Sequence, residues 1–232
     1  MQAVILAAGQ GKRLRPLTDD KPKPMVELLG KPILEYTIDF LPNAVDEVVL
    51  IIGYRGDKIR EHFGGVWKGR PITYVEQGEP LGTAHALFTA RPAIKHERFL
   101  ILPGDNISAF AAIDRGVTYP YVIFAVEHPH PERFGVIELN DDGITLKRIV
   151  EKPEHPATNL ISTASMLLSP GIFDTTLVMH PRLGEHFIPD LLTQVLEREP
   201  IYVLKQDFWV AVDRPEDIPR AEVALAAYQK EA

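Results

Sequence analysis

No cysteine occurs anywhere in the 232 residues. There is therefore no disulfide framework, no thiolate metal site and no cysteine nucleophile, and cysteine usage does not mark the redox compartment. A long apolar run is missing as well: the N-terminal one, Ala3 to Ala8, spans six residues with no basic region before it. That is too short for the core of a signal peptide or for a membrane span, so a soluble, cytoplasmic protein with no membrane partner is expected. Nor is there a surplus of positive charge. The formal net charge is −7, which argues against nonspecific nucleic-acid binding, since that draws many phosphate contacts from a basic face. No repeat, low-complexity segment or long linker interrupts the chain. With 45% hydrophobic residues there is ample material for a buried core, and a single domain over residues 1–232 is expected.

What the chain does have is a local concentration of positive charge. Residues 12 to 31 hold six Lys or Arg against three acids, as a small anionic ligand requires. They follow the first apolar run in the stretch LAAGQGKRLRPLTDDKPKPM, Leu6 to Met25, where Gly9 and Gly11 stand beside Lys12, Arg13 and Arg15. A backbone that turns sharply off a strand and then offers N–H groups and cations suits phosphate. Two common glycine-rich patterns are excluded. The dinucleotide fingerprint needs glycine where Leu14 stands, and the P-loop needs Ser or Thr where Arg13 follows Gly11 and Lys12.

Periodicity divides the chain in two. Ala3 to Ala8, Val48 to Ile52, Ile72 to Val75 and Phe99 to Leu102 read as strands. Between them, helices are expected over Glu35 to Leu41, after Arg55, and from Thr83 to Ala90. Such alternation predicts a parallel sheet covered on both faces, with ligands beyond the carboxyl ends of the strands. Three polar, glycine-containing turns fall there, at residues 9 to 23, 76 to 83 and 103 to 106. After Pro120 the pattern becomes β-rich: Tyr121 to Val126, Gly135 to Leu139, Ile144 to Val150 and Leu160 to Leu168, with Asp141, Asp142 and Gly143 as a hairpin turn. This predicts a β-rich layer on the same sheet, carrying a second substrate. A helix with one buried face is expected from Glu185, then a strand near Phe208 to Val212 and a closing helix from Pro215. His85 reads as a helix residue. His128 and His130, alternating with prolines 129 and 131, read as a stiffened loop rather than a metal site.

Residues Leu6 to Pro24 fit L-A-A-G-x-G-x-R-x-x-P-x-T-x-x-x-P-K-P at every fixed position, and in this the chain resembles the nucleotidyltransferases that join a sugar 1-phosphate to a nucleoside triphosphate. Further matches are the stretch Glu76 to Ala86, the turn Leu102 to Asn106, the run Glu132 to Val136, the tetrad Val150 to Pro153, and Gly184, Glu185, Phe187 and Asp190. The resemblance implies an α/β, Rossmann-like, mostly parallel sheet with helices on both faces and a β-rich sugar-binding layer. Residues 1–118 would form the nucleotide-binding half and 119–232 the sugar-phosphate-binding half. It implies the catalytic domain alone, without the left-handed β-helix that relatives often append.

The same resemblance implies roles for particular residues. Leu6, Ala7, Ala8, Gly9 and Gly11 would wrap base and phosphates, Gln77 would read the base edge, and Gly82 and Thr83 would complete the nucleotide site. Arg13 and Lys23 would neutralise charge on the triphosphate as the sugar phosphate attacks in line. Asp105 would hold Mg²⁺, which prefers carboxylate oxygens, waters and substrate phosphates. Asn106, Gly135, Glu151, Lys152 and Ser162 would contact the sugar phosphate, Glu151 through sugar hydroxyls and Lys152 through the phosphate. The expected reaction is NTP plus sugar 1-phosphate giving NDP-sugar plus pyrophosphate; assembly into a homo-oligomer is left open.

Two departures from the family's pattern bear on the acceptor. Ser162 stands where relatives carry a sugar-binding Asn, Ala164 where they carry Gly, and Met166 where they carry an aromatic. Near the C-terminus the position of the second metal ligand holds Ala211, and Asp213 lies two residues on. Strand side chains repeat every second residue, so the two share a face if the strand continues that far. Asp213 is the candidate second ligand; capping the closing helix is its alternative. The form V-D-x-P-E-D, Val212 to Asp217, is similar to cytidylyltransferases that act on phosphocholine and other phosphorylated alcohols. That acceptor, and a regulatory relative without turnover, are the rival readings.

Overall fold

The computed structural model describes residues 1–110, 113 and 118–231. In chain order the first half runs β1 (Gln2–Ala7), the short antiparallel pair β2 (Glu27–Leu28) and β3 (Lys31–Pro32), α1 (Ile33–Asp39), β4 (Glu47–Ile52), α2 (Gly56–Phe63), β5 (Val66–Trp67), β6 (Arg70–Glu76), α3 (Thr83–Ala90), β7 (Phe99–Pro103) and β8 (Asn106–Ser108). The second half continues with β9 (Val122–Glu127), β10 (Gly135–Leu139), β11 (Leu146–Glu151), β12 (Leu160–Leu168), α4 (Ile188–Leu196), β13 (Tyr202–Lys205), β14 (Trp209–Ala211) and α5 (Asp217–Glu231).

A near-continuous apolar run reads as a strand buried on both faces, and β1 is one. Its side chains alternate, Ala3, Ile5 and Ala7 joining one core cluster and Val4 the other. It lies between β4 and β7 with both neighbours parallel, and β6 extends the parallel set beyond β4. Helices α1 and α2 press Leu34, Ile38, Ile59 and Phe63 onto one face; α3 and α4 press Ala84, Leu87, Leu191 and Val195 onto the other. The β-rich half is continuous with this sheet, because β12 pairs antiparallel with β7 and then with β9 and β10.

A third cluster joins parts of the chain far apart in sequence. Leu14 of the opening loop, Ile33 and Tyr36 of α1, Ile107 of β8, and Val212, Ala221 and Leu225 around α5 pack together. This cluster sews the C-terminal segment onto the loop that follows β1.

Some boundaries differ from the sequence reading, each for a local reason. The helix expected from Glu185 begins at Ile188, with Gly184 at φ 70° and Pro189 in the first turn. Proline lacks an N–H and belongs in the first turn of a helix rather than its interior. The closing helix begins at Asp217 rather than Pro215: residues 214–218 form tight turns, Asp217 N–H to Arg214 and Ile218 N–H to Pro215, and the Asp217 carboxylate accepts the N–H groups of Asp213 and Arg214, both at 2.9 Å. Strands β8 and β13 were not foreseen. Each is three or four residues long and is formed by a distant partner, β14 for the first and β9 for the second.

Candidate active site

All three foreseen turns lie beyond the carboxyl ends of parallel strands β1, β6 and β7, which places them at one edge of the sheet. Two glycines set how closely they approach. Gly11 is left-handed at φ 64°, and a Cβ there would stand 2.7 Å from Cβ of Lys23, so the absence of a side chain lets the Lys23 stem pass. Gly104 donates its N–H to the carbonyl of Leu6 at 2.9 Å, and this carries the next residue, Asp105, to the mouth of the loop.

There Lys23 meets two carboxylates. Its Nζ is 2.6 Å from Oδ2 of Asp105 and 2.8 Å from Oδ1 of Asp213. Arg13 reaches the other oxygen of Asp213 at 3.2 Å and Arg133 comes to 3.5 Å from it. Lys23 is 7% exposed. Burial works against its ammonium, but the two carboxylates outweigh that and raise its pKa above the ordinary lysine value. Asp213 mirrors it: burial favours the neutral acid, yet Lys23, Arg13 and Arg133 hold its pKa below the usual carboxylate range.

One ammonium touching both acids means that an oxygen of each lies within bonding reach of a single cation. Two hard carboxylate oxygens open to a cleft suit Mg²⁺, which takes one or two carboxylates and fills its remaining positions from waters and substrate phosphates. Among the described residues no cluster of three or more acids or histidines forms a closed metal cage. The donor set therefore fits a cation shared with a ligand.

A cleft of about 440 Å³ runs from this centre, within the usual size range for small-molecule sites. Leu6, Ala8, Gly9, Arg13, Lys23, Gln77, Gly82, Thr83 and Asp105 line one part, and Asn106, Gly135, Glu151, Lys152, Ser162 and Asp213 are brought to the same space. Of the residues singled out from sequence, Ala7 and Gly11 do not line it; Ala7 is in the core and Gly11 acts through Lys23. Arg133 was missed. It stands in a short turn before β10 and faces both Asp213 and Asp217; its neighbours Phe134 and Gly135 were singled out, but its charge partners lie some 80 residues away in sequence, where no local pattern points.

Several of these side chains are held by neighbours. Gln77 is buried, and its amide donates to the carbonyl of Gly82 at 3.2 Å. Gly135 leaves room for Glu151, whose carboxylate would lie 3.2 Å from a Cβ there. Burial raises the Glu151 pKa, and the ion pair with Lys152 at 3.3 Å only partly opposes this. Lys152 has φ 43°, a strained value for a non-glycine residue.

Gly82 has a structural duty of its own. At φ 105° and ψ 177° it occupies a region essentially closed to other residues, and a Cβ would stand 2.4 Å from the carbonyl oxygen of His186. That carbonyl accepts the N–H of Ala84 at 3.0 Å, and the N–H of His186 donates to Leu81 at 2.9 Å. The substitution Gly82→Ala is expected to cost roughly 2–5 kcal/mol of stability, combining backbone strain with overpacking. Urea denaturation of the free protein checks this, and a loss under 1 kcal/mol would show that the loop relaxes around the methyl group.

A twisted, mainly parallel sheet with a cationic glycine loop beyond its central strand, facing paired carboxylates, defines a protein that handles phosphorylated nucleotides at the strands' carboxyl edge. The Nucleotidyl transferase family model matches residues 2–227, and the chain belongs to that family. It is 36% identical to a UTP–glucose-1-phosphate uridylyltransferase, AglF, of Haloferax volcanii, over 97% of this chain and 96% of that one. It is also 36% identical to a bifunctional protein GlmU of Methanocaldococcus jannaschii, over 97% of this chain but 54% of the relative. The chain thus spans about half the length of the GlmU relatives it matches. Among solved structures, a UDP-glucose pyrophosphorylase complexed with UDP-glucose superposes with a TM-score of 0.82 at 22% identity, covering 100% and 99% of the two chains. Among the described residues no helix is long and apolar enough to cross a membrane.

Proposed function

We propose that the chain is a cytoplasmic enzyme that transfers a nucleotidyl group from a nucleoside triphosphate to a sugar 1-phosphate and releases pyrophosphate. The observation that carries this reading is the convergence of Lys23, Arg13, Asp105 and Asp213 at one end of a cleft whose other walls hold Gly135, Glu151, Lys152 and Ser162. In this reading residues 1–118 form the nucleotide half and 119–232 the acceptor half of one domain. Gly9, where a Cβ would meet nothing within 4 Å, leaves the backbone open to the nucleotide, and Gln77 presents an amide to the base.

In the transfer, an oxygen of the acceptor phosphate attacks the α-phosphorus. The new P–O bond forms as the bond to the bridging oxygen breaks, and pyrophosphate leaves with that electron pair. The nucleophile is already an anion, so no side chain needs to abstract a proton. Lys23 and Arg13 hold the triphosphate in line and neutralise charge that grows on the phosphoryl oxygens, while Lys152 positions the acceptor phosphate and Glu151 its hydroxyls. Asp105 and Asp213 would hold Mg²⁺, which supplies charge neutralisation on the phosphates when bound.

Pyrophosphate release tests this across the four nucleoside triphosphates, with glucose 1-phosphate, N-acetylglucosamine 1-phosphate and phosphocholine as acceptors. Release with a sugar 1-phosphate is expected, and none with any pair despite nucleotide binding would overturn the reading in favour of a regulatory role. Turnover only with CTP and phosphocholine would move the acceptor to the alcohol class, which the segment Val212 to Asp217 and the residues Ser162, Ala164 and Met166 favour.

A further inference from the structure

Strand β12 carries an anomaly at the acceptor end of the cleft. Its pairing with β9 is interrupted between Ser162 and Met166, and inside the break Ala164 sits at φ 60°, in the left-handed region. Ala164 is the one exposed residue of an otherwise buried strand, and it lines the cleft beside Ser162 and Met166. The kink is pinned from three directions. The hydroxyl oxygen of Ser162 accepts the N–H of Ala164 at 3.0 Å; the Asn106 amide donates to the carbonyl of Thr163 at 3.3 Å; and the Thr163 hydroxyl donates to the carbonyl of Phe124 at 3.0 Å. Ser162 and Asn106 therefore spend hydrogen bonds on shaping this wall, beyond any contact with a ligand.

A glycine would adopt this backbone without penalty, whereas alanine is strained there because its Cβ crowds the following carbonyl oxygen. The surroundings hold the strain in place, and the methyl group is the only atom gained. An observed outlier at the wall of a binding site calls for a use. Resting on the acceptor reading above, we propose that the Ala164 methyl group is a size filter on the acceptor. The site takes a phosphorylated acceptor that is compact where it meets β12, such as an unsubstituted hexose 1-phosphate, and turns away one carrying a bulky acylamino group.

The test compares the wild-type chain with Ala164→Gly on glucose 1-phosphate and N-acetylglucosamine 1-phosphate, reading kcat/KM for each and the melting temperature. The wild type is expected to favour glucose 1-phosphate. The variant is expected to shift the ratio toward the N-acetylated acceptor by roughly tenfold or more, the scale set by a methyl-sized change in a pocket, and to melt roughly 2–4 °C higher as strain is released. A wild type that prefers the N-acetylated acceptor, or a variant whose ratio stays within twofold while its melting temperature rises, would overturn the filter. Calorimetric binding of the two sugar phosphates separates this from the reaction itself: a shifted binding ratio without turnover in either protein keeps the filter and sinks the transfer reading.

Discussion

Replacing Lys23 with alanine is expected to lower kcat/KM by roughly 10²–10³-fold, on the order of 2.7–4 kcal/mol, the loss typical of one preorganised charge-stabilising donor. The geometry adds a second consequence. In the free protein the Lys23 ammonium bridges Asp105 and Asp213, so its removal leaves two carboxylates facing each other with less compensation. Arg13 and Arg133 still face Asp213, but Asp105 makes no other ion pair among the described residues. The variant is therefore expected to gain more melting temperature from added Mg²⁺ than the wild type does, even as turnover falls. Lys23→Arg keeps the charge but has to place a larger planar head between Asp105 and Asp213, where the ammonium now sits 2.6 and 2.8 Å from their oxygens; partial rescue is expected. Steady-state kinetics with both variants, and melting curves with and without Mg²⁺, check these outcomes. A loss in kcat/KM below tenfold for Lys23→Ala would remove the lysine from its assigned place.

How much of this was legible in the sequence depends on the distance over which each feature is determined. The opening loop was readable because its constraints are local: Gly11 needs a left-handed backbone, prolines 22 and 24 stiffen the approach to Lys23, and Arg13 and Lys23 lie within eighteen residues of the strand that launches them. The buried strands were readable from apolar runs, and Asp105 from its place after one. The role of Asp213 stayed open because it depends on packing of Leu14 against Val212 and Leu225, which lie about 200 positions away from it and share no periodic pattern with it. Strand β14 ends at Ala211, which pairs with Asn106. Two residues on, past the end of the strand, Asp213 lines the same cleft as Ala211. Arg133 and the strain at Ala164 are further from reach, since one is defined by distant partners and the other by a backbone angle that residue identity argues against.

Asp213 separates catalysis from folding in a way that can be measured. The sequence allowed it to be either a ligand or the cap of the last helix, and in the structure it is Asp217, the first residue of that helix, whose carboxylate ties down the preceding turn by accepting the N–H groups of Asp213 and Arg214. The Asp213 side chain instead faces Lys23, Arg13 and Arg133. Asp213→Asn, which keeps the shape and removes the charge, is thus expected to lower turnover at fixed Mg²⁺ by roughly 10²-fold or more, by the same electrostatic argument as for Lys23, while the protein stays folded. Asp217→Ala is expected to do the reverse, costing about 1–3 kcal/mol of stability by leaving the N–H groups of Asp213 and Arg214 without their acceptor, with a smaller effect on turnover. Acid titration supplies a check independent of activity. The cationic surroundings depress the Asp213 pKa, so its contribution is present above the unfolded carboxylate value and is lost as pH falls through the lower folded value. The stability curve of Asp213→Asn should accordingly be flatter across that acid window than that of the wild type. Undiminished turnover in Asp213→Asn, or an acid limb as steep as in the wild type, would take this carboxylate out of the reacting centre and leave Asp105 as its lone acid.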